Sequence, residues 1–108
     1  MEFIALKISV VLYLIMKVGI IGVGDLGGTL GKSWGQRNHE VMFGVRNPQS
    51  ENVQRLSQMD ESLRFGDISE AVAFGDVILL AIPWTSVEET VRRSGNLSGK
   101  ILIDPTNP

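Results

Sequence analysis

The pattern best equipped for chemistry in this chain is Gly22-x-Gly24-x-x-Gly27, at the end of the apolar, β-branched run Val18–Val23. A Gly-x-Gly-x-x-Gly match alone is a weak signal. Between an apolar strand and an amphipathic segment it becomes a strong one. In that setting Gly22 allows a tight turn, Gly24 lets the backbone approach a pyrophosphate, and Gly27 lets the following helix sit close on the strand. The helix N-terminus then offers unpaired N–H groups and a partial positive charge to the phosphates. Asp25 is expected to cap this helix and line the site, with Leu26 beside it.

A dinucleotide fold reads its cofactor at the tip of the second strand, about 20 residues past the glycines. An acid there accepts from the ribose 2′-OH of NAD, whereas an arginine holds the 2′-phosphate of NADP. The chain reads His39-Glu40-Val41-Met42-Phe43-Gly44-Val45-Arg46-Asn47-Pro48. Glu40 lies at the start of the strand, the wrong end, and Arg46 stands at the tip. Guanidinium and phosphate make charge-assisted, often bidentate bonds. One such contact is worth about 1.5–3 kcal/mol, roughly a ten- to hundredfold preference for NADPH over NADH. Asn47 adds a hydrogen bond to ribose or phosphate. The expected cofactor is NADP(H).

The elements that must position these residues follow from hydrophobic periodicity. Strand-like runs occur at Val18–Val23, Val41–Val45, Val77–Ile82 and Ile101–Ile103, with a weaker one at Leu63–Phe65. Val77–Ile82 does not alternate, so both of its faces are expected to be buried, as in a parallel sheet covered by helices. After the glycine loop, Leu26, Leu30 and Trp34 form an apolar stripe, and Gly27, Gly31 and Gly35 a small-residue stripe beside it. Glycine inside a helix costs on the order of 1 kcal/mol relative to alanine, which close approach to the sheet offsets. Asn38 sits where a left-handed C-cap is expected. Asp67 with Glu70, and Ser86 with Glu89, have capping-box spacing. Glu88–Arg92 and Glu89–Arg93 are i,i+4 pairs on a solvated helix face. Alternating strands and helices imply βαβ units. The fold class is α/β: a Rossmann-type doubly wound parallel sheet of about five strands, truncated before the second half.

Composition removes other classes of function. The 108 residues contain no cysteine, which excludes a disulfide framework, a thiolate metal site and a cysteine nucleophile. A single histidine, His39, leaves little for a metal site or a Ser-His-Asp triad, and no metal is expected. Ten Lys+Arg against 12 Asp+Glu lack the basic footprint of nucleic-acid binding. Residues 1–15 read as an apolar extension outside the domain core, and residues 16–108 as the NADP-binding domain. The run Ile8–Met16 is nine residues long, short of the roughly 20 that a membrane helix needs. It also lacks the cleavage site of a signal peptide, so the expected compartment is the cytoplasm.

Four motifs taken together resemble a known family. Met16-Lys17-Val18-Gly19-Ile20-Ile21-Gly22-Val23-Gly24, His39-Glu40-Val41 with Arg46, Ala81-Ile82-Pro83-Trp84, and Ile103-Asp104-Pro105-Thr106-Asn107-Pro108 are similar to those of the deazaflavin-dependent NADP oxidoreductases. More loosely, the resemblance extends to the pyrroline-5-carboxylate reductases and 6-phosphogluconate dehydrogenases. It implies that hydride passes between NADP(H) and a bound deazaflavin coenzyme. It also implies that Pro83 and Trp84 follow the fourth strand beside the nicotinamide, with Thr106, Asn107 and Pro108 after the fifth. Ala81 and Ile82, at the end of that strand run, are counted with them as cofactor-binding residues. The chain departs from the family at Val45, where Ser or Thr usually precedes the arginine, and at Ser50, where a further basic residue is often found. The family continues beyond Pro108 into the segment that completes the coenzyme pocket and the dimer.

The leading reading is therefore an NADP-dependent oxidoreductase domain that presents the nicotinamide to a small-molecule hydride donor or acceptor. No general acid or base is assigned, because caps and strand ends account for Asp67, Asp76 and Asp104. A non-catalytic dinucleotide sensor and an inactive truncated paralogue are the alternatives. The edge at the fifth strand and the apolar first 16 residues are candidates for homodimer contacts.

Overall fold

The computed structural model describes residues 15–105, so the expectations for residues 1–14 and for Thr106, Asn107 and Pro108 lie outside the described residues. The elements in order are β1 (Lys17–Ile21), α1 (Asp25–Gln36), β2 (Glu40–Gly44), α2 (Glu51–Met59), β3 (Arg64–Gly66), α3 (Ile68–Phe74), β4 (Val77–Leu80), a 3-10 turn (Trp84–Ser86), α4 (Val87–Arg93) and β5 (Ile101–Ile103). All strand pairs are parallel, in the order β3-β2-β1-β4-β5. This is the expected doubly wound sheet.

Alternation along the inner strands divides the core between the two faces of the sheet. Val18 and Ile20 of β1, Val41 and Phe43 of β2 and Leu79 of β4 pack with Val53 and Leu56 of α2, and Leu30 and Trp34 of α1 join them. Ile21, Ile78 and Leu80 point the other way, onto Ile68, Ala71 and Val72 of α3. The whole of β4 is buried, as its unalternating sequence requires. Right-handed crossovers place α1 and α2 on one face and α3 and α4 on the other. β5 is different. Ile101, Leu102 and Ile103 are all exposed along this edge strand.

Three of the apolar runs extend beyond their strands, whereas the run Ile101–Ile103 coincides with β5. β1 stops at Ile21 because Gly22 turns with φ +107°, and β2 and β4 stop at Gly44 and Leu80. Val23, Val45, Ala81 and Ile82 thus lie past the carboxyl ends of the strands.

Local signals hold in most places. Asn38 takes φ 69° and donates its N–H to the Gly35 carbonyl, closing α1 as expected. Asp67 and Glu70 form a complete capping box at α3. Ser86 does not cap α4: it belongs to the 3-10 turn with helical dihedral angles, and its side chain makes no capping bond. Asp25 is likewise the first residue of α1 rather than its cap, a position taken by Gly24. Leu26 leaves the apolar stripe and is exposed, whereas Gly27 and Gly31 are buried against the sheet.

Candidate functional site

A doubly wound sheet leaves a crevice where the strand order reverses, here between β1 and β4, at the carboxyl ends of the strands. Gly22 opens the loop after β1. A Cβ at this position would collide with the Ala81 carbonyl oxygen, and the positive φ itself favours glycine. Five residues on, Gly27 brings α1 against the sheet. A Cβ there would lie 2.8 Å from the Gly22 carbonyl oxygen and 3.0 Å from Ala81 Cβ. Gly24, between them, faces open space, with nothing within 4 Å of where its Cβ would be. As the N-cap it offers no side chain to the first turn of α1. The N–H groups of that turn are therefore left for an acceptor outside the helix, at its positive end.

Two cavities flank this loop. One, of about 340 Å³, is lined by Gly22, Val23, Val45, Arg46, Asn47 and Thr90 among others. The other, of about 250 Å³, is lined by Gly24, Asp25, Leu26, Ala81 and Pro105. Ile82 and Pro83 line both. The structure thus brings together Gly22, Gly24, Asp25, Leu26, Arg46, Asn47, Ala81, Ile82 and Pro83 along one edge of the sheet. Trp84 is exposed in the 3-10 turn and lines neither cavity. Asn107 lies outside the described residues.

The two departures from the family pattern have structural roles. Val45 is buried, and the Ser50 hydroxyl caps α2 by accepting from Val53 N–H at 3.3 Å. The Asn47 Oδ1 accepts from Gln49 N–H at 3.0 Å, which shapes the turn after Arg46. Arg46 itself is half exposed and reaches across the cleft to α4, where Nη2 lies 3.3 Å from Glu89 Oε2. Glu89, whose other oxygen makes the expected i,i+4 contact with Arg93 Nη2 at 2.8 Å, is through Arg46 more than a member of a solvated pair.

Thr90 is also without a signal in the sequence. It is fully buried in the wall of the larger cavity, and its Oγ1 has no hydrogen-bond partner among the described residues. The glycine cradle, the arginine at the β2 tip and this orphaned hydroxyl together fit a dinucleotide laid across the loop.

The histidine lies at the far end of the sheet, where His39 Nδ1 accepts from the Met16 N–H at 3.0 Å. Asp76 immediately precedes β4, its N–H donating to the Lys17 carbonyl and its own carbonyl accepting from the Ile101 N–H. Among the described residues no group of His, Asp and Glu is placed to hold a metal, and no helix is long and apolar enough to cross a membrane.

These features define a Rossmann-type dinucleotide-binding domain. The chain belongs to the family of coenzyme F420-dependent NADP oxidoreductases, whose sequence pattern matches residues 17–108. Among solved structures, it is similar to a putative F420-dependent NADP-reductase from Arthrobacter sp. FB24, with 25% identity, a TM-score of 0.79, and coverage of 86% of this chain and 46% of that one. A reductive aminase from Aspergillus terreus in complex with NADPH superposes with a TM-score of 0.71 at 20% identity, over 87% of this chain and 32% of that one. Pyrroline carboxylate reductase from Plasmodium falciparum with NADP bound gives a TM-score of 0.65 at 16% identity, over 84% of this chain and 33% of that one. The last two likenesses establish the fold alone. The chain spans less than half the length of these structures, and no curated protein matches it.

Proposed function

We propose that this chain binds NADP(H) and presents its nicotinamide for hydride transfer to or from a deazaflavin-type coenzyme or a small substrate. The observation that carries this reading is the placement of two features on one sheet edge: the open backbone at Gly24 before α1, and Arg46 at the tip of β2. The first suits a pyrophosphate and the second a 2′-phosphate. The cavity beside Arg46 would take the adenosine end of the cofactor. The recess lined by Asp25, Leu26, Ala81, Ile82 and Pro83 would take the nicotinamide end.

In this reading the bound dinucleotide supplies the redox chemistry, a hydride with its two electrons, and the protein supplies binding and orientation. Ile82 and Pro83, lining both cavities, would wall the cleft with apolar surface and limit access of water.

Calorimetric titration with NADPH and NADH tests the reading. The expected result is micromolar NADPH binding, weaker NADH binding, and in Arg46→Ala a roughly ten- to hundredfold loss for NADPH alone. Equal losses for both nucleotides in that variant would overturn the assignment of Arg46. Binding of neither nucleotide by the unmodified chain would overturn the function.

A further inference from the structure

The carboxylate of Glu89 lies between two guanidinium groups, Oε2 at 3.3 Å from Arg46 Nη2 and Oε1 at 2.8 Å from Arg93 Nη2. These arginines come from distant parts of the chain: Arg46 follows β2, whereas Arg93 ends α4 on the opposite side of the cleft. Together they line a recess of about 270 Å³, with Val45, Asp67, Ile68 and Ser69. The Asp67 carboxylate in that recess is already engaged, Oδ1 accepting from Glu70 N–H and from the Ser69 hydroxyl, each at 2.8 Å. Glu89 is thus the anion that the two guanidiniums share.

We propose that Glu89 is a built-in stand-in for the cofactor's 2′-phosphate, and that Arg93 is a second phosphate-binding arm. This rests on the reading of Arg46 given above. A phosphate monoester carries about −1.5 to −2 charges and three acceptor oxygens, against one charge and two oxygens for a carboxylate. It is therefore the stronger partner for a pair of guanidiniums. Arg46 and Glu89 are each half exposed at their side chains, so their pairing is weak and readily exchanged. NADP(H) would displace the carboxylate from Arg46 and draw in Arg93. NAD(H), with only a 2′-OH, would leave the three-residue arrangement intact. Arg93 thereby supplies a cation that the loop after β2 lacks, because Ser50 stands there as a helix cap. Glu89 holds NADPH affinity below what the two arginines alone would give.

The test is titration of the unmodified chain, Glu89→Gln and Arg93→Ala with NADPH and NADH, with a melting curve for each. Glu89→Gln removes the charge and keeps the size, and is expected to bind NADPH about three- to tenfold more tightly with NADH affected less. Arg93→Ala is expected to weaken NADPH about tenfold and leave NADH within about twofold. If the unmodified chain prefers NADPH but Glu89→Gln binds it no more tightly, the stand-in role is overturned while the proposed function survives. If the unmodified chain has no preference for NADPH, the reading of Arg46 fails and this inference fails with it.

Discussion

The backbone N–H of Gly22 donates to the carbonyl of Gly44 at 3.0 Å, joining the start of the glycine loop to the last residue of β2. On either side, Val45 N–H donates to the Gly66 carbonyl and Ala81 N–H to the Ile21 carbonyl, each at 2.9 Å. The strands are therefore tied together at the point where each one ends. The glycine loop, the proposed pyrophosphate cradle, and the segment bearing Arg46 are held in register by the sheet itself. In the proposed reading, a cofactor reaching from one to the other would meet a site whose spacing is set before binding.

That arrangement separates two glycines that look alike in the sequence. Gly22→Ala places a Cβ against the Ala81 carbonyl at a positive φ, which costs an L-residue about 1–2 kcal/mol before the overlap is counted. A total loss of about 2 kcal/mol or more is expected in urea unfolding, with loss of nucleotide binding. Gly24→Ala meets nothing within 4 Å and has φ −72° and ψ −169°, open to any residue. Its stability should hold or rise by up to about 1 kcal/mol, because the unfolded chain loses freedom. NADPH binding should nonetheless fall about tenfold or more, as the new methyl group stands where the pyrophosphate would approach. A Gly24→Ala chain that binds normally would contradict the cradle.

Acid sensitivity follows from two carboxylates. The Asp60 carboxyl is held below its ordinary value chiefly by the Ser62 hydroxyl and then by the Ser62 N–H. Asp67 is lowered first by the Glu70 N–H and then by the Ser69 hydroxyl. A carboxyl whose folded-state pKa is depressed stabilises the fold above its unfolded value, near 3.8 for both groups. That contribution disappears as pH falls through the lowered folded value. Stability should therefore drop on acidification below about pH 4–5, and less steeply in an Asp60→Asn, Asp67→Asn double variant. Equal slopes for the two chains over that range would remove both carboxylates from the account.

Signals that act over one helical turn or one strand were legible in the sequence. The capping box at Asp67, the left-handed Asn38, the glycine loop and the buried β4 all depend on neighbours a few residues away. The runs at β1, β2 and β4 were legible in position but not in length, whereas Ile101–Ile103 matched β5 in both. Val23, Val45, Ala81 and Ile82 pack in or against the core clusters while lining the cleft beyond the sheet, and periodicity alone does not separate that role from one more paired residue. Ser86 has the spacing of a cap and lacks the extended backbone that a cap needs. Glu89 was hidden for a different reason. Its contact with Arg46 spans 43 residues and exists only because the topology brings the β2 tip beside α4.

Thr90 carries the remaining prediction. A buried hydroxyl without a partner costs about 1–3 kcal/mol in desolvation, and Thr90 Oγ1 has no partner among the described residues. Thr90→Val keeps the branched shape and removes that group, so the nucleotide-free chain should gain about 1 kcal/mol in urea unfolding. Thr90 also lines the cavity beside Arg46, assigned above to the adenosine end of the cofactor. If its hydroxyl is kept for that ligand, the stabilised variant should bind NADPH and NADH about threefold to tenfold less tightly, both alike, because they share the adenosine. A gain in stability with unchanged binding would make the orphaned hydroxyl a packing defect. A loss of 1 kcal/mol or more would mean that Oγ1 already has a partner in the folded chain.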